Sequence, residues 1–290
     1  MTFALAQFRQ KGASNVRARL GAVIDGRLVD LTAADAHLTD LSALVAGGEA
    51  GLAHARQVAT KAADVDQSSI EWLPPIAKPG KIVCLGLNYA AHAAEGGNKA
   101  PEYPSFFLRV VSSLIGHRAP LIRPHASEHL DFEAELAVVV GKRVRHLTVA
   151  NALDAVAGYS CFNDGTLRDY QRKTGQWTIG KNFDGTGAFG PWLVPAADLP
   201  PGAVGLKIES RLNGRVMQSD NTRNMLFPVV ETLCLLTEAL TLEPGDVIVM
   251  GTPAGVGYAR KPPVWMQPGD RIEIEIEGIG VLANTVEDEA

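Results

Sequence analysis

The segment Asp131-Phe132-Glu133-Ala134-Glu135-Leu136 sets two glutamates two residues apart at the entrance of the apolar run Ala137-Val138-Val139-Val140. In a strand, side chains at i and i+2 project from one face, so Glu133 and Glu135 stand side by side while Phe132, Ala134 and Leu136 pack the other. Like charges so placed repel, and a partly buried pair must either take up a proton or be neutralised by a cation. About thirty residues later Asn163-Asp164-Gly165 offers a third carboxylate. Asp164 with the two glutamates makes an all-oxygen set suited to Mg²⁺ or Mn²⁺, with Ca²⁺ as a possible substitute. The competing reading is a solvated strand face, on which Glu-x-Glu is common. Against it, the apolar run to Gly141 reads as buried on both faces, where an uncompensated charge is expensive.

Other residues could act beside such a cluster. His92 and Glu95 are three apart, so on a helical turn they share a face, and a carboxylate beside an imidazole orients it and raises its basicity. That pairing suits a general base that takes a proton from water, although a surface His-Glu pair has the same spacing. Gly96-Gly97 follows directly and would let the segment hinge as a lid. Lys181, in Gly180-Lys181-Asn182-Phe183-Asp184-Gly185, could bind a substrate oxyanion near the cation, or could be an ordinary solvated loop lysine. Gly251-Thr252-Pro253-Ala254-Gly255-Val256-Gly257 follows the apolar strand Val247-Ile248-Val249-Met250. Its backbone N–H groups and the Thr252 hydroxyl can hold an anion such as a carboxylate, but it lacks the Gly-Lys-Ser/Thr ending of a phosphate-binding P-loop. A plain strand-to-loop turn is the alternative.

The elements that must position these groups follow from pattern. At 290 residues with 46% hydrophobic and 20% charged content, the chain suggests one large domain plus a small one. Residues 17–31 read as two short strands about the Asp25-Gly26 turn, while 41–50 and 51–63 have helical composition. Prolines and a glycine between Trp72 and Gly80 mark a linker, so a small N-terminal α+β domain is expected over 1–76 and a catalytic domain over 77–290. In the second part, 82–86 reads as a buried strand and 89–95 as a short helix. A hairpin is expected about Asn213-Gly214, and 228–240 carries helical spacing. The strict alternation of 271–277 marks a strand with one wet face, whose acids are solvated. The class is α+β and strand-rich, without the regular strand-helix alternation of a doubly wound fold.

Composition excludes several functions. A net charge of −5 without a basic stripe argues against nucleic acid as a partner. The apolar runs are far too short to span a bilayer, and the N-terminus lacks a signal-peptide pattern, so a cytoplasmic location with no membrane partner is the default expectation. Cys84, Cys161 and Cys234 form no Cys-x-x-Cys pair and imply neither a disulfide framework nor a zinc site; they read as small buried hydrophobes.

Five motifs stand together in one order: Gly86-Leu87-Asn88-Tyr89 with His92 and Glu95; Asp131 to Leu136; Asn163-Asp164 with Arg168-Asp169 and Gln171; Gly180 to Asp184; and Gly251 to Gly257. On these, the chain from about Lys81 to its C-terminus resembles the fumarylacetoacetate hydrolase superfamily; the N-terminal unit resembles the small accessory domain of many members only weakly. The resemblance implies a strand-rich mixed β-roll, usually a homodimer. It implies Glu133, Glu135 and Asp164 as ligands of Mg²⁺ or Mn²⁺, and His92 with Glu95 as a water-activating dyad on a lid. It further implies Lys181 beside the substrate oxygen near the metal, Thr252 on the 2-oxo acid carboxylate, Gln171 lining the pocket and Arg109 as a substrate contact. The implied activity is hydrolysis of a C–C bond in a small 2,4-dioxo acid such as an acylpyruvate or fumarylpyruvate, in catabolism of aromatic ring-cleavage products. Decarboxylation of oxaloacetate-like acids and isomerisation of 2-hydroxymuconate-type dienes occur in the same family, and a metal-stabilised binding protein without turnover is the reading from another class.

Overall fold

A computed structural model describes residues 2–12 and 17–290. Among them the strands form three sheets. At the centre of the largest lies Ala134–Val140, paired antiparallel with Val156–Asp164 on one side and with Val247–Val249 on the other. Its seven residues are all buried, as an unbroken apolar run requires. Alternate side chains enter different cores: Phe132, Ala134, Leu136 and Val138 join one, and Ala137 and Val139 join the other. The first core is closed by the five-stranded sheet, through Ile272, Ile274 and Leu282, and by the helix Val229–Ala239, through Leu233 and Leu236. The second is closed by the N-terminal helices, through Leu41, Leu44, Val45 and Ala55.

Val247–Val249 pairs parallel with Ile82–Gly86, which pairs antiparallel with the edge strand Ser105–Arg109, so the sheet is mixed. The hairpin Lys207–Leu212 with Arg215–Asn221 forms where the Asn213-Gly214 turn predicts, Asn213 and Gly214 both taking positive φ. Glu273 and Glu275 of Arg271–Ile276 lie on the wet face and pair with Arg211 at 3.0 and 2.5 Å. Cys84 and Cys161 are buried and Cys234 partly so, all three as free thiols. No helix of the described residues is long and apolar enough to cross a membrane.

The N-terminal residues do more than the expected two-strand unit. The strands Arg19–Ile24 and Arg27–Asp30 form as read, but Phe3–Gln10 and Ile70–Leu73 are added, and Leu5 pairs with Leu193 of Gly187–Pro195. The large sheet therefore takes strands from both sides of residue 77. Phe3–Gln10 is buried for its first six residues, so it shows no two-residue alternation, and it carries a buried Gln7 whose amide donates to the Pro75 carbonyl at 2.8 Å. The helical stretch divides at Gly47 into Leu41–Ala46, capped by Asp40, and Gly48–Ala59; Gly48 takes φ 58°, which a glycine adopts without strain.

Candidate metal and catalytic site

The antiparallel register opposes Ala134 to Asn163 and Glu135 to Phe162, which brings the end of one strand against the start of the other. Glu133 precedes the ladder and is clamped to it: its N–H donates to Asn163 Oδ1 at 3.0 Å, and its carbonyl accepts the Asp164 N–H at 3.0 Å. Glu133, Glu135 and Asp164 are thereby gathered, all buried, with one oxygen of each within 4.8 Å of the others.

The three carboxylates differ in their neighbours. Glu133 accepts Arg168 Nη2 and Lys181 Nζ, both at 2.6 Å. Burial pushes its carboxyl up, but Lys181 and Arg168 outweigh that and hold it well below the ordinary carboxylate range. Asp164 accepts Lys181 Nζ at 2.7 Å and a short contact from Arg109 Nη1. Glu135 accepts one backbone donor, Gly251 N–H at 2.5 Å, and has no ion-pair partner among the described residues. Burial first, then the charges of Asp164 and Glu133, push its carboxyl well above the ordinary range. A buried carboxylate beside two others and short of a cation is what a hard divalent ion resolves, and the all-oxygen donor set fits Mg²⁺ or Mn²⁺.

Gly251 lies at φ 84°, and a Cβ there would come within 2.7 Å of Asn88 Cβ; only glycine lets this N–H reach Glu135. Asn88 locks the same turn, donating to Met250 O at 2.7 Å and accepting the Phe227 N–H at 2.7 Å. Lys181 is buried rather than solvated. Desolvation opposes its charge, but Asp164 and Glu133 outweigh it and raise its pKa, so it stays an ammonium.

The helix Ala90–Glu95 packs His92 and Ala93 inward. His92 Nδ1 lies 2.7 Å from Glu95 Oε1, and Glu95 Oε2 accepts the Gly255 N–H at 2.8 Å. A carboxylate only accepts, so Nδ1 carries a proton, and in the neutral imidazole Nε2 is the atom with the lone pair. Gly255, at φ 105°, would bring a Cβ within 2.4 Å of the Met217 carbonyl, so the loop that fixes Glu95 also depends on a glycine.

Thr252 Oγ1 accepts Gln218 Nε2 at 2.7 Å. Gln218 is itself immobilised, accepting Ala134 N–H and Ser210 Oγ and donating to the Pro253 carbonyl. With its oxygen engaged as acceptor, the Thr252 hydroxyl has its proton to donate.

These groups surround a cavity of about 490 Å³. Glu133, Glu135, His92, Lys181, Gln171 and Thr252 form its wall, with Leu85, Leu87, Phe107 and Trp177 as its apolar part. Asp164 and Glu95 stand behind that wall, in contact with Lys181 and His92. Arg109, expected as a substrate contact, does not line it. Its side chain is fully buried behind Asp164 and is spent on Asp164, Ser113 Oγ, the Gly165 carbonyl and Thr186 Oγ1. It holds the Asp164 carboxylate from behind.

The sequence reading assigned no role to Arg168, Asp131, Gln218, Arg172 or Tyr258. Arg168 spans Glu133 and buried Asp131, reaching the latter at 2.8 Å, and also holds Gln171 Oε1 at 2.9 Å. Asp131 is satisfied by the N–H groups of Gly257 and Tyr258 as well. Charge balance was the available signal: acids at 131, 133 and 135 on one buried segment call for a nearby arginine.

The family model for the fumarylacetoacetate (FAA) hydrolase C-terminal domain matches residues 81–287. The chain is 36% identical over 285 residues to oxaloacetate tautomerase Fahd2a, mitochondrial, of Rattus norvegicus, covering 97% of this chain and 91% of that one. It is similar to the fumarylacetoacetate hydrolase structure from Exiguobacterium antarcticum, with TM-score 0.84 and 36% identity over 99% of this chain and 100% of the other. It is also similar to maleylpyruvate hydrolase from Sphingobium sp. SYK-6 in complex with manganese(II) and pyruvate, with TM-score 0.81 and 27% identity over 99% and 100% of the two chains. With a family match over most of its length and strand-rich mixed sheets that superpose on those structures, the chain belongs to the fumarylacetoacetate hydrolase family.

Proposed function

We propose that the protein is a divalent-metal-dependent enzyme that enolises a small 2-oxo acid, and that it catalyses keto–enol tautomerisation of an oxaloacetate-type acid. Glu133, Glu135 and Asp164 would hold the ion, Mg²⁺ or Mn²⁺, which supplies Lewis-acid polarisation of the 2-oxo-carboxylate end of the substrate. The Thr252 hydroxyl donates a hydrogen bond to the substrate carboxylate. Lys181, kept protonated by two carboxylates, offers its ammonium to the oxygen that gains negative charge. In the keto-to-enol direction His92 Nε2 removes the proton from C3 and delivers it to the enolate oxygen, and in the reverse direction it takes the enol proton and delivers it to C3, with Glu95 stabilising the imidazolium in between.

The observation that carries tautomerisation is the extent of the likeness: mammalian oxaloacetate tautomerases align with 97% of this chain at 36–38% identity. C–C hydrolysis of an acylpyruvate is the second reading, with the same imidazole activating water; the maleylpyruvate hydrolase likeness, at 27–28% identity, supports it. A panel of oxaloacetate, acylpyruvates and hydroxymuconate-type dienes, assayed with Mn²⁺ and with chelator and with products identified by mass, separates them. The expected result is chelator-sensitive enol–keto interconversion of oxaloacetate at unchanged mass. Two carbon fragments from an acylpyruvate, without that interconversion, would favour hydrolysis, and turnover indifferent to chelator would contradict the metal.

A second copy of the chain is the partner proposed for the edge strand Ser105–Arg109. Leu108, Val110, Val111 and Ile179 are exposed there, and Asn182 ties their segments together through Leu108 O and the Val110 N–H. An unpaired strand edge bearing an apolar patch invites a partner. Light scattering is expected to give twice the 30.8 kDa chain mass, and Leu108→Asp to give the monomer; a monomeric wild type would contradict the assignment.

A further inference from the structure

We propose that Arg172 selects dicarboxylic 2-oxo acids, its guanidinium receiving the carboxylate distal to the 2-oxo group. This rests on the reading of the cavity as a 2-oxo acid site.

Four side chains on the cavity wall can carry positive charge: His92, Arg168, Arg172 and Lys181. Three are engaged. His92 faces Glu95, Arg168 is divided among Asp131, Glu133 and Gln171, and Lys181 bridges Glu133 and Asp164. Arg172 alone has no carboxylate within ion-pair distance among the described residues. It is the wall cation without a protein counter-charge.

The guanidinium is also held in place. Arg172 follows Arg168 by four residues, and the two stack on the Tyr258 ring, with their Cζ atoms 4.4 and 4.5 Å from its centroid. Tyr258 is braced in turn: its N–H donates to Asp131 at 3.1 Å, and a Cβ on Gly96 would meet its hydroxyl at 2.8 Å. A stacked arginine presents its planar fork with less freedom to lose, which favours bidentate capture of a carboxylate. The two guanidinium carbons lie within about 9 Å of each other, the sum of their distances to the shared ring. Arg168 marks the carboxylate floor, since it touches Glu133. A four- or five-carbon diacid, with its carboxylate carbons roughly 4–5 Å apart, has the length to lie on that floor and reach Arg172. The apolar part of the wall, with Leu85, Leu87, Phe107 and Trp177, offers nothing to a second charge.

A matched pair of 2-oxo acids tests this: 2-oxoglutarate and 2-oxovalerate have the same carbon count and differ in the distal carboxylate. Titration calorimetry on the Mn²⁺-loaded protein is expected to show the diacid binding about tenfold tighter, the scale of one charge-assisted pair at a partly solvated site. Arg172→Leu should collapse that ratio toward one through loss of diacid affinity, and Arg172→Lys should keep part of it. If wild type binds both acids equally, or if Arg172→Leu weakens both alike, the assignment of Arg172 is overturned while the 2-oxo acid site stands. If wild type binds neither, the 2-oxo acid reading falls and this inference falls with it.

Discussion

Replacing Glu135 with Gln is expected to abolish metal-dependent turnover, by on the order of 10³-fold, and yet to leave the chelator-treated protein as stable as wild type or more so. The activity loss follows from several kcal/mol of charge stabilisation that a bound ion supplies, at 1.36 kcal/mol per tenfold. The stability expectation follows from the neighbours. Glu135 is buried beside Asp164 and Glu133 without a cation, so a neutral isostere removes repulsion and breaks no ion pair. Glu133→Gln should do the reverse and destabilise by about 3 kcal/mol, because it leaves Lys181 and Arg168 each short of a buried partner. Thermal unfolding in chelator distinguishes the two variants, and equal losses would contradict the charge assignments.

The pH dependence has a definite sign. Because the folded-state pKa of Glu135 is raised, the native protein binds more protons than the unfolded chain above the ordinary value of 4.5. In chelator this group's contribution to stability is therefore present below that value and declines as pH rises past it. A metal ion competes with that proton, so the rise in Tm on adding Mn²⁺ should grow with pH over the same range. Glu135→Gln should show neither trend.

His92→Ala is expected to lower turnover by about 10²- to 10⁴-fold, the usual contribution of a positioned general base, without changing the amount of metal bound. Glu95→Gln should cost less, on the order of 10- to 100-fold, as for other partners that orient a working group. A glutamine oxygen can still accept from His92 Nδ1 and from the Gly255 N–H, so the geometry survives while the charge that steadies the imidazolium is lost. Steady-state kinetics beside a metal titration check both variants. A His92→Ala protein that keeps its turnover removes the imidazole from the chemistry.

Much of this site was legible because it is built from short-range rules. The i, i+2 rule puts Phe132, Ala134 and Leu136 in one core and turns Glu135 the other way; the i, i+3 rule pairs His92 with Glu95. What escaped depends on contacts between distant parts of the chain. Gln218 reaches Ala134 across 84 residues and Thr252 across 34, and no local pattern records either. Arg109 sits on an edge strand whose spacing does not reveal that its side chain turns inward to Asp164, 55 residues away. The first strand, Phe3–Gln10, is buried on both faces and contains Gln7, so it lacks the alternation that marks a strand. Its pairing with Gly187–Pro195 carries the large sheet across a proline-rich stretch that reads as a linker.

Glu133, Glu135 and Asp164 are proposed to hold one divalent ion together. Electron paramagnetic resonance of Mn²⁺ titrated into the purified protein measures this directly, by counting free against bound ion. One tightly bound Mn²⁺ per chain in wild type, lost in a folded Glu135→Gln variant, is the predicted result. An Mn²⁺ stoichiometry and affinity unchanged by Glu135→Gln would contradict it.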